Sequence, residues 1–166
     1  MAKKVLIVMG SANDADTLEP AWKILAELGI EHEVRVASAH RTPAVVHELI
    51  GGARDAGFGV VIAAAGMAAH LAGVSAALTT LPVVAVPIPS GTLAGMDALL
   101  ASTQMPPGIP VAAVGIAGAR NAGLYAAQIL SVTDDAIATK LDEYRAGMRD
   151  RVVKSDAELR SKLGQD

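Results

Sequence analysis

Short, continuously apolar runs alternate along the chain with longer segments in which apolar residues recur every three or four positions. The first run, Val5–Met9, is typical of a strand that is covered on both faces. Similar runs predict four more strands, at 31–37, 59–64, 83–87 and 109–115. Segments with helical periodicity separate these strands, which is the pattern of a parallel sheet with helices on both faces.

The segments between the strands predict helices at about 16–28, 42–56, 68–79, 95–103 and 120–130. The fourth of these helices lies inside 87–108, the one long irregular stretch of the chain. Right-handed crossovers then give a three-layer αβα fold, with a five-stranded, doubly wound parallel sheet of the flavodoxin-like kind.

The last helix, at 134–163, differs from the others because it is long, polar on most faces and follows a complete core. We expect a single α/β domain over residues 1–166, in which this C-terminal helix packs outside the core or on a neighbouring subunit.

The composition is unusually apolar, with 52% apolar and 19% charged residues, against about 25% charged in an average domain. No window reaches the ~18 apolar residues that a membrane span needs. Lys3-Lys4 precedes a short strand and then polar residues, so no signal peptide is predicted and we expect a soluble, cytoplasmic protein. The apolar excess predicts a homo-oligomer, although an alanine-rich chain also scores as apolar while burying little area.

Several classes of function are excluded by what the chain lacks. It has no cysteine, which removes disulfides, thiolate zinc sites and a cysteine nucleophile. The net charge is −3, the basic residues are scattered and aromatic residues make up 2%, so we expect no nucleic-acid binding. A small anionic ligand, held at a local site, remains possible.

Four polar clusters follow four of the predicted strands, at the point where each strand ends. They are Ser11–Asp14, Ser38–Arg41, Gly66–His70 and Ser90–Thr92. Ligands of a doubly wound sheet bind outside the carboxyl ends of its strands. We therefore expect these clusters to converge on one binding site, although they are distant in sequence.

Anion binding is the clearest chemistry of these clusters. Ser11 and Ser38 are hydroxyls beside predicted helix N-termini, where free backbone N–H groups attract an anion. Arg41 is able to grip a phosphate bidentately, and Asp14 to accept hydrogen bonds from a pair of sugar hydroxyls. Taken singly, Ser11 and Asp14 are better explained as helix caps. Asp14 and Asp16 offer too few oxygen ligands for a magnesium site, so we expect no metal there.

Two of the four histidines lie in these clusters. His40 and His70 follow strand ends, and imidazole is the side chain that moves a proton near neutral pH. His32 and His47 lack such a context, and we interpret them as surface or half-buried residues. The chain also lacks the glycine-rich signatures of phosphate-loop NTPases and of dinucleotide-binding proteins.

With these motifs taken together, the sequence resembles the class I N5-carboxyaminoimidazole ribonucleotide mutases of bacterial purine biosynthesis, within the AIR carboxylase family. The resemblance covers the chain to about residue 145. The motifs that carry it are Met9-Gly10-Ser11 with Asp14, Ser38–Pro43, Gly66 with Ala68–Leu71, Gln104–Pro106 with Gly108–Val111, and Gly118-Ala119 with Asn121-Ala122.

The resemblance implies a homo-octamer that isomerises a nucleotide without a metal or an organic cofactor, with CO2 as an intermediate. It also implies that His40 is the catalytic acid and base and that His70 lies in the site. The substrate-binding residues that it implies, for the ribose phosphate, are Ser11, Asp14, Ser38 and Arg41.

Two alternatives remain at this point. The related class II enzymes carboxylate aminoimidazole ribonucleotide directly with CO2, but they lack the histidine that this chain has at position 70. The second alternative is a nucleotide-binding module without catalysis, because a fold does not by itself determine a function.

Overall fold

The computed structural model describes residues 3–165, which form an alternating series of strands and helices. A one-turn 3-10 helix (Ala12–Asp14) precedes the first α-helix. The elements in chain order are β1 (Lys4–Met9), α1 (Ala15–Glu27), β2 (His32–Val36), α2 (Pro43–Gly51), β3 (Phe58–Gly66), α3 (Leu71–Leu78), β4 (Val83–Ile88), α4 (Met96–Thr103), β5 (Ala112–Ala113), α5 (Ala119–Ser131) and α6 (Asp135–Lys162).

The five strands form one parallel sheet in the order β2-β1-β3-β4-β5. The chain starts in the middle of the sheet, builds outward to β2, and then crosses back over β1 to build the other half. This reversal between β1 and β3 is the switch point of a doubly wound sheet, where ligands of such folds bind. The predicted fold class is confirmed.

Each face of the sheet has its own hydrophobic core, because successive strand residues point to opposite faces. On one face Val5, Ile7 and Met9 of β1 pack against α1 and α5. On the other face Leu6 and Val8 pack against α2 and α3. All five of these β1 side chains are buried, which explains why the strand is apolar without alternation.

Two predicted elements differ most in length from the structure, and both are shorter there than the sequence indicates. The strand predicted at 109–115 pairs with β4 only through Ala112 and Ala113, because it lies at the edge of the sheet and Pro110 has no N–H to donate. The helix predicted at 42–56 ends at Gly51, where two successive glycines disfavour further helix and the chain continues in turns.

The helix α6 begins at the cap Asp134, whose carboxylate accepts hydrogen bonds from the N–H groups of Ala136 and Ile137. Within α6 only Ile137 and Leu141 are buried, and both belong to the core that α1 and α5 share. Its packing on a neighbouring subunit stays a prediction. No helix within residues 3–165 combines the length and the apolar character that crossing a membrane requires.

Candidate active site

All six side chains that the sequence singles out line one cavity of about 470 Å³ at the carboxyl ends of the strands. They come from the segments that follow β1, β2 and β3, and the segment after β4 adds Ser90 to the wall. These strands are neighbours in the sheet, so their ends bring together residues that are up to 59 positions apart between Ser11 and His70. The predicted convergence of the polar clusters is observed.

The segment after β1 presents a hydroxyl and a carboxylate to this cavity. Ser11 is the N-cap of the 3-10 helix, and its Oγ accepts a hydrogen bond from the Asn13 N–H at 3.3 Å. Asp14 directly precedes α1, yet its side chain makes no capping hydrogen bond to the described residues of that helix. The capping interpretation therefore holds for Ser11, whereas the Asp14 carboxylate remains available to a ligand.

Burial raises the pKa of the Asp14 carboxyl above its ordinary value. A hydrogen bond that the carboxylate accepts from the Ser11 backbone and the positive charge of Arg41 act in the opposite direction, but burial has the larger effect. A carboxylate in such a position is partly stripped of water and poorly compensated. Hydroxyl donors of a bound ligand would supply the missing hydrogen bonds.

A tight turn after β2 holds Arg41 beside the carboxyl end of β1. The Ser38 N–H donates to Thr42 Oγ1 at 2.9 Å, and Ser38 Oγ accepts from the backbone N–H of Arg41 at 3.2 Å. The guanidinium then reaches across to β1, where Nη2 donates to the Gly10 carbonyl at 2.7 Å. Pro43 opens α2 directly after this turn, with a backbone angle already suited to a helix.

His40 and His70 form a direct pair, although 30 positions separate them. Nε2 of His40 lies 2.8 Å from Nδ1 of His70, and the two rings meet edge to face with their centroids 4.9 Å apart. A hydrogen bond between two imidazole nitrogens needs one proton between them, so one ring donates and the other accepts. The two imidazole rings therefore share one N–H at this contact.

The turn that carries His70 has an unusual backbone. Met67 adopts a left-handed conformation with φ of 54°, which is uncommon for a residue with a side chain. The N–H of Ala69 then donates to the Met67 carbonyl at 2.8 Å, and that of His70 to the Ala68 carbonyl at 2.9 Å. These successive tight turns end at His70, the residue before α3, and hold its ring beside His40.

Sequence reasoning missed three features of this site. Thr42 closes the turn around Ser38, a role that the four-residue spacing of the two hydroxyls would have indicated. The Gly10 carbonyl as a partner of Arg41 had no signal in the sequence. Ser90 was noticed as part of a polar cluster but received no role, and its hydroxyl oxygen is buried with no hydrogen-bond partner within residues 3–165.

A second cavity of about 470 Å³ lies between β5, α5 and α6. Apolar side chains such as Leu124, Leu141 and Met148 form much of its wall, and no described lining residue is a histidine or a carboxylate. Across residues 3–165 no group of three or more His, Cys, Asp or Glu side chains is arranged to hold a metal ion. The histidine pair therefore lies in the first cavity and not in this second one.

The fold and the first cavity define a doubly wound α/β protein in which a histidine pair, a guanidinium and a carboxylate line a cavity at the carboxyl ends of the strands. The chain belongs to the AIR carboxylase family, whose model matches residues 4–151, and this confirms the resemblance found in the sequence. Three known proteins illustrate how close the similarity is.

The chain is 52% identical over 156 residues to the N5-carboxyaminoimidazole ribonucleotide mutase of Methanocaldococcus jannaschii, which covers 94% of this chain and 97% of that protein. It is 51% identical over 161 residues to the mutase of the same name from Bacillus subtilis, with 96% and 99% covered. Among solved structures, the crystal structure of Treponema denticola PurE superimposes with a TM-score of 0.85 at 30% identity, covering 95% of this chain and 98% of that one.

Proposed function

We propose that the protein is an isomerase of purine biosynthesis that converts N5-carboxyaminoimidazole ribonucleotide to 4-carboxy-5-aminoimidazole ribonucleotide. Relatives that are 51–52% identical over nearly the whole chain carry the name of this mutase. The observation that carries the proposal is the His40–His70 pair inside a cavity that also presents a guanidinium, two serine hydroxyls and a carboxylate.

The residues that bind the sugar phosphate form two groups, one for the phosphate and one for the ribose. Arg41 lies beside Ser38 and Ser11 at the ends of β2 and β1, where a guanidinium and two hydroxyls match the oxygens of a phosphate. The Asp14 carboxylate lies at the start of α1 and is a hydrogen-bond acceptor for the ribose hydroxyls. These assignments place the imidazole base further along the sheet edge, towards the histidine pair after β3.

The reaction needs one proton to be donated to the exocyclic nitrogen of the substrate and one proton to be removed from ring carbon C4. The substrate carries a carbamate on the exocyclic nitrogen of an aminoimidazole. His40 donates a proton to that nitrogen, the bond between nitrogen and the carboxyl carbon breaks, and its electrons stay on nitrogen as CO2 leaves. Ring carbon C4 then attacks the CO2, and removal of the C4 proton by the same imidazole restores the aromatic ring.

At the end of these steps His40 has regained a proton in place of the one that it gave, so the reaction requires no other acid, base or cofactor. His70 holds the His40 ring through the 2.8 Å contact and shares its proton during the cycle. Histidine suits both steps because its pKa lies close to neutral pH in ordinary surroundings. The CO2 has to stay in the cavity between the two steps, and we assign the 87–108 segment as the wall that retains it.

The experiment that tests the mutase assignment supplies the carbamate nucleotide to the purified protein in buffer that is stripped of bicarbonate. The C4-carboxylate should form at the full rate. Formation only at high CO2, from aminoimidazole ribonucleotide, would instead support the class II carboxylation. Binding of either nucleotide without any turnover would support a non-catalytic module.

We also propose that the protein works as a cytoplasmic homo-octamer. Three large apolar side chains, Leu93, Met96 and Leu100, lie exposed on and just before α4. The second half of α6 adds Val152 and Val153, which are also exposed. A further subunit would cover this apolar surface. Light scattering should give a mass eight times that of the 16.9 kDa chain, and a monomeric mass would refute the octamer.

A further inference from the structure

Among the described residues of the active-site wall, Ser90 has the one buried hydroxyl that lacks a partner. Its Oγ has no hydrogen-bond partner among residues 3–165, and its residue lines the cavity that holds the histidine pair. A buried polar group without a partner costs about 1–3 kcal/mol relative to a paired one. Such groups are uncommon in native structures, and each one calls for an explanation.

The surroundings of Ser90 explain its position. Gly66, the last residue of β3, pairs in the sheet with Ile88, two residues before Ser90. A Cβ at position 66 would collide with Ser90 Oγ, so the hydroxyl lies directly over the α-carbon of Gly66. The serine therefore packs against Gly66, at the start of the turn that leads to His70, and because its Oγ is buried, a contact with a ligand in the cavity requires rotation about the Cα–Cβ bond.

The order of the strands indicates which part of the ligand Ser90 would meet. Neighbouring strands lie about 4.8 Å apart, and the order β2-β1-β3-β4 puts the end of β4 furthest from the phosphate-binding groups after β2 and β1. A nucleotide whose phosphate lies at Arg41 reaches β4 only with its opposite end. In the proposed reaction that end carries the carboxyl group.

We propose that Ser90 is a further substrate-binding residue, which donates a hydrogen bond from Oγ to the carboxyl group that migrates. This inference rests on the proposed function and extends it. The hydroxyl gives the carboxyl oxygen a fixed partner while the carbon is bound to nitrogen, free as CO2, or bound to C4. It would thereby hold the CO2 against C4, beside the imidazole that removes the proton.

The test compares Ser90→Ala with Ser75→Ala, which removes the other buried and unpartnered hydroxyl of the described chain. Ser75 lies in α3 outside the lining of the active-site cavity. Both replacements should leave the free energy of unfolding unchanged or slightly higher, because each removes a hydroxyl that has no partner. Calorimetry then measures the dissociation constants of two ligands, aminoimidazole ribonucleotide and its 4-carboxy derivative.

For Ser90→Ala we expect the dissociation constant of the 4-carboxy nucleotide to rise about 10-fold or more, the effect of one hydrogen bond to a charged group. Binding of aminoimidazole ribonucleotide should be unchanged, and Ser75→Ala should bind both ligands like the wild type. Equal losses for both ligands, or no loss for either, would overturn the assignment. If the wild type binds both nucleotides but does not interconvert the carboxylates, the proposed function fails, whereas a carboxyl-specific loss in Ser90→Ala still supports the contact.

Discussion

Two helix glycines of this chain should respond to alanine with opposite signs. Gly123 is buried in the middle of α5, where α5 crosses α1. A Cβ there would lie 2.5 Å from Ile24 Cγ2 and 2.8 Å from the Ala21 carbonyl oxygen. Gly147 is in the interior of α6, where the nearest atom to an added Cβ, Arg151 Nη1, is 3.6 Å away.

The magnitudes follow from two opposing effects. Alanine favours a helix interior over glycine by about 1 kcal/mol at either position. At position 123 overpacking costs about 1–3 kcal/mol, and the upper part of that range applies because the Ala21 carbonyl is backbone and cannot rotate away. We expect Gly147→Ala to gain about 0.5–1 kcal/mol and Gly123→Ala to lose about 1–2 kcal/mol.

The assay is urea denaturation of both variants and the wild type at one fixed protein concentration, since association shifts apparent stability. The expected loss of free energy of unfolding in the Gly123→Ala variant corresponds to a melting temperature that is lower by about 2–8 °C for a chain of this size. If the Gly123→Ala variant has the same free energy of unfolding as the Gly147→Ala variant, the close packing of α1 against α5 is refuted.

Three further predictions concern charged side chains. Arg41→Ala should weaken binding of a phosphate-bearing nucleotide by roughly 10- to 100-fold but spare the corresponding nucleoside in calorimetry; equal losses would exclude a phosphate contact. Asp14→Asn should raise the free energy of unfolding at pH 7, because burial raises the pKa of Asp14 and the folded state disfavours its charge. That gain should shrink as the pH falls through the folded-state pKa, and a gain that persists in acid would contradict this reasoning. Lys140→Met should lower stability by about 1 kcal/mol, because Nζ donates to the Leu28 carbonyl at the end of α1 at 2.9 Å; unchanged urea denaturation would contradict it.

The alternation of apolar strands and amphipathic helices was enough to predict the sheet and its layers. A run such as Val5–Met9 is long, apolar and bounded by polar residues, so local pattern and tertiary burial agree. The edge strand was predicted too long because the pattern of 109–115 records partial burial, whereas pairing depends on which backbone N–H groups meet β4. The periodicity of apolar residues carries no information about this backbone pairing.

The site was predictable in its membership but not in its contacts. Strand ends and residue types identified the side chains that line the cavity. The 2.8 Å contact between His40 and His70 depends on the left-handed turn at Met67, a residue that gives no sign of such a conformation in the sequence. Likewise the orphaned hydroxyl of Ser90 depends on a side-chain rotamer, which packing against Gly66 decides.

The central claim is that a single imidazole, His40, moves the proton in both halves of the reaction. The direct measurement is the rate at which His40→Asn converts the carbamate nucleotide to the C4-carboxylate, with nucleotide binding followed in parallel. Asparagine fills a similar space and forms hydrogen bonds, but it does not exchange a proton near neutral pH. The account predicts bound nucleotide and no conversion above the uncatalysed rate. Conversion by His40→Asn at a rate near that of the wild type would contradict it.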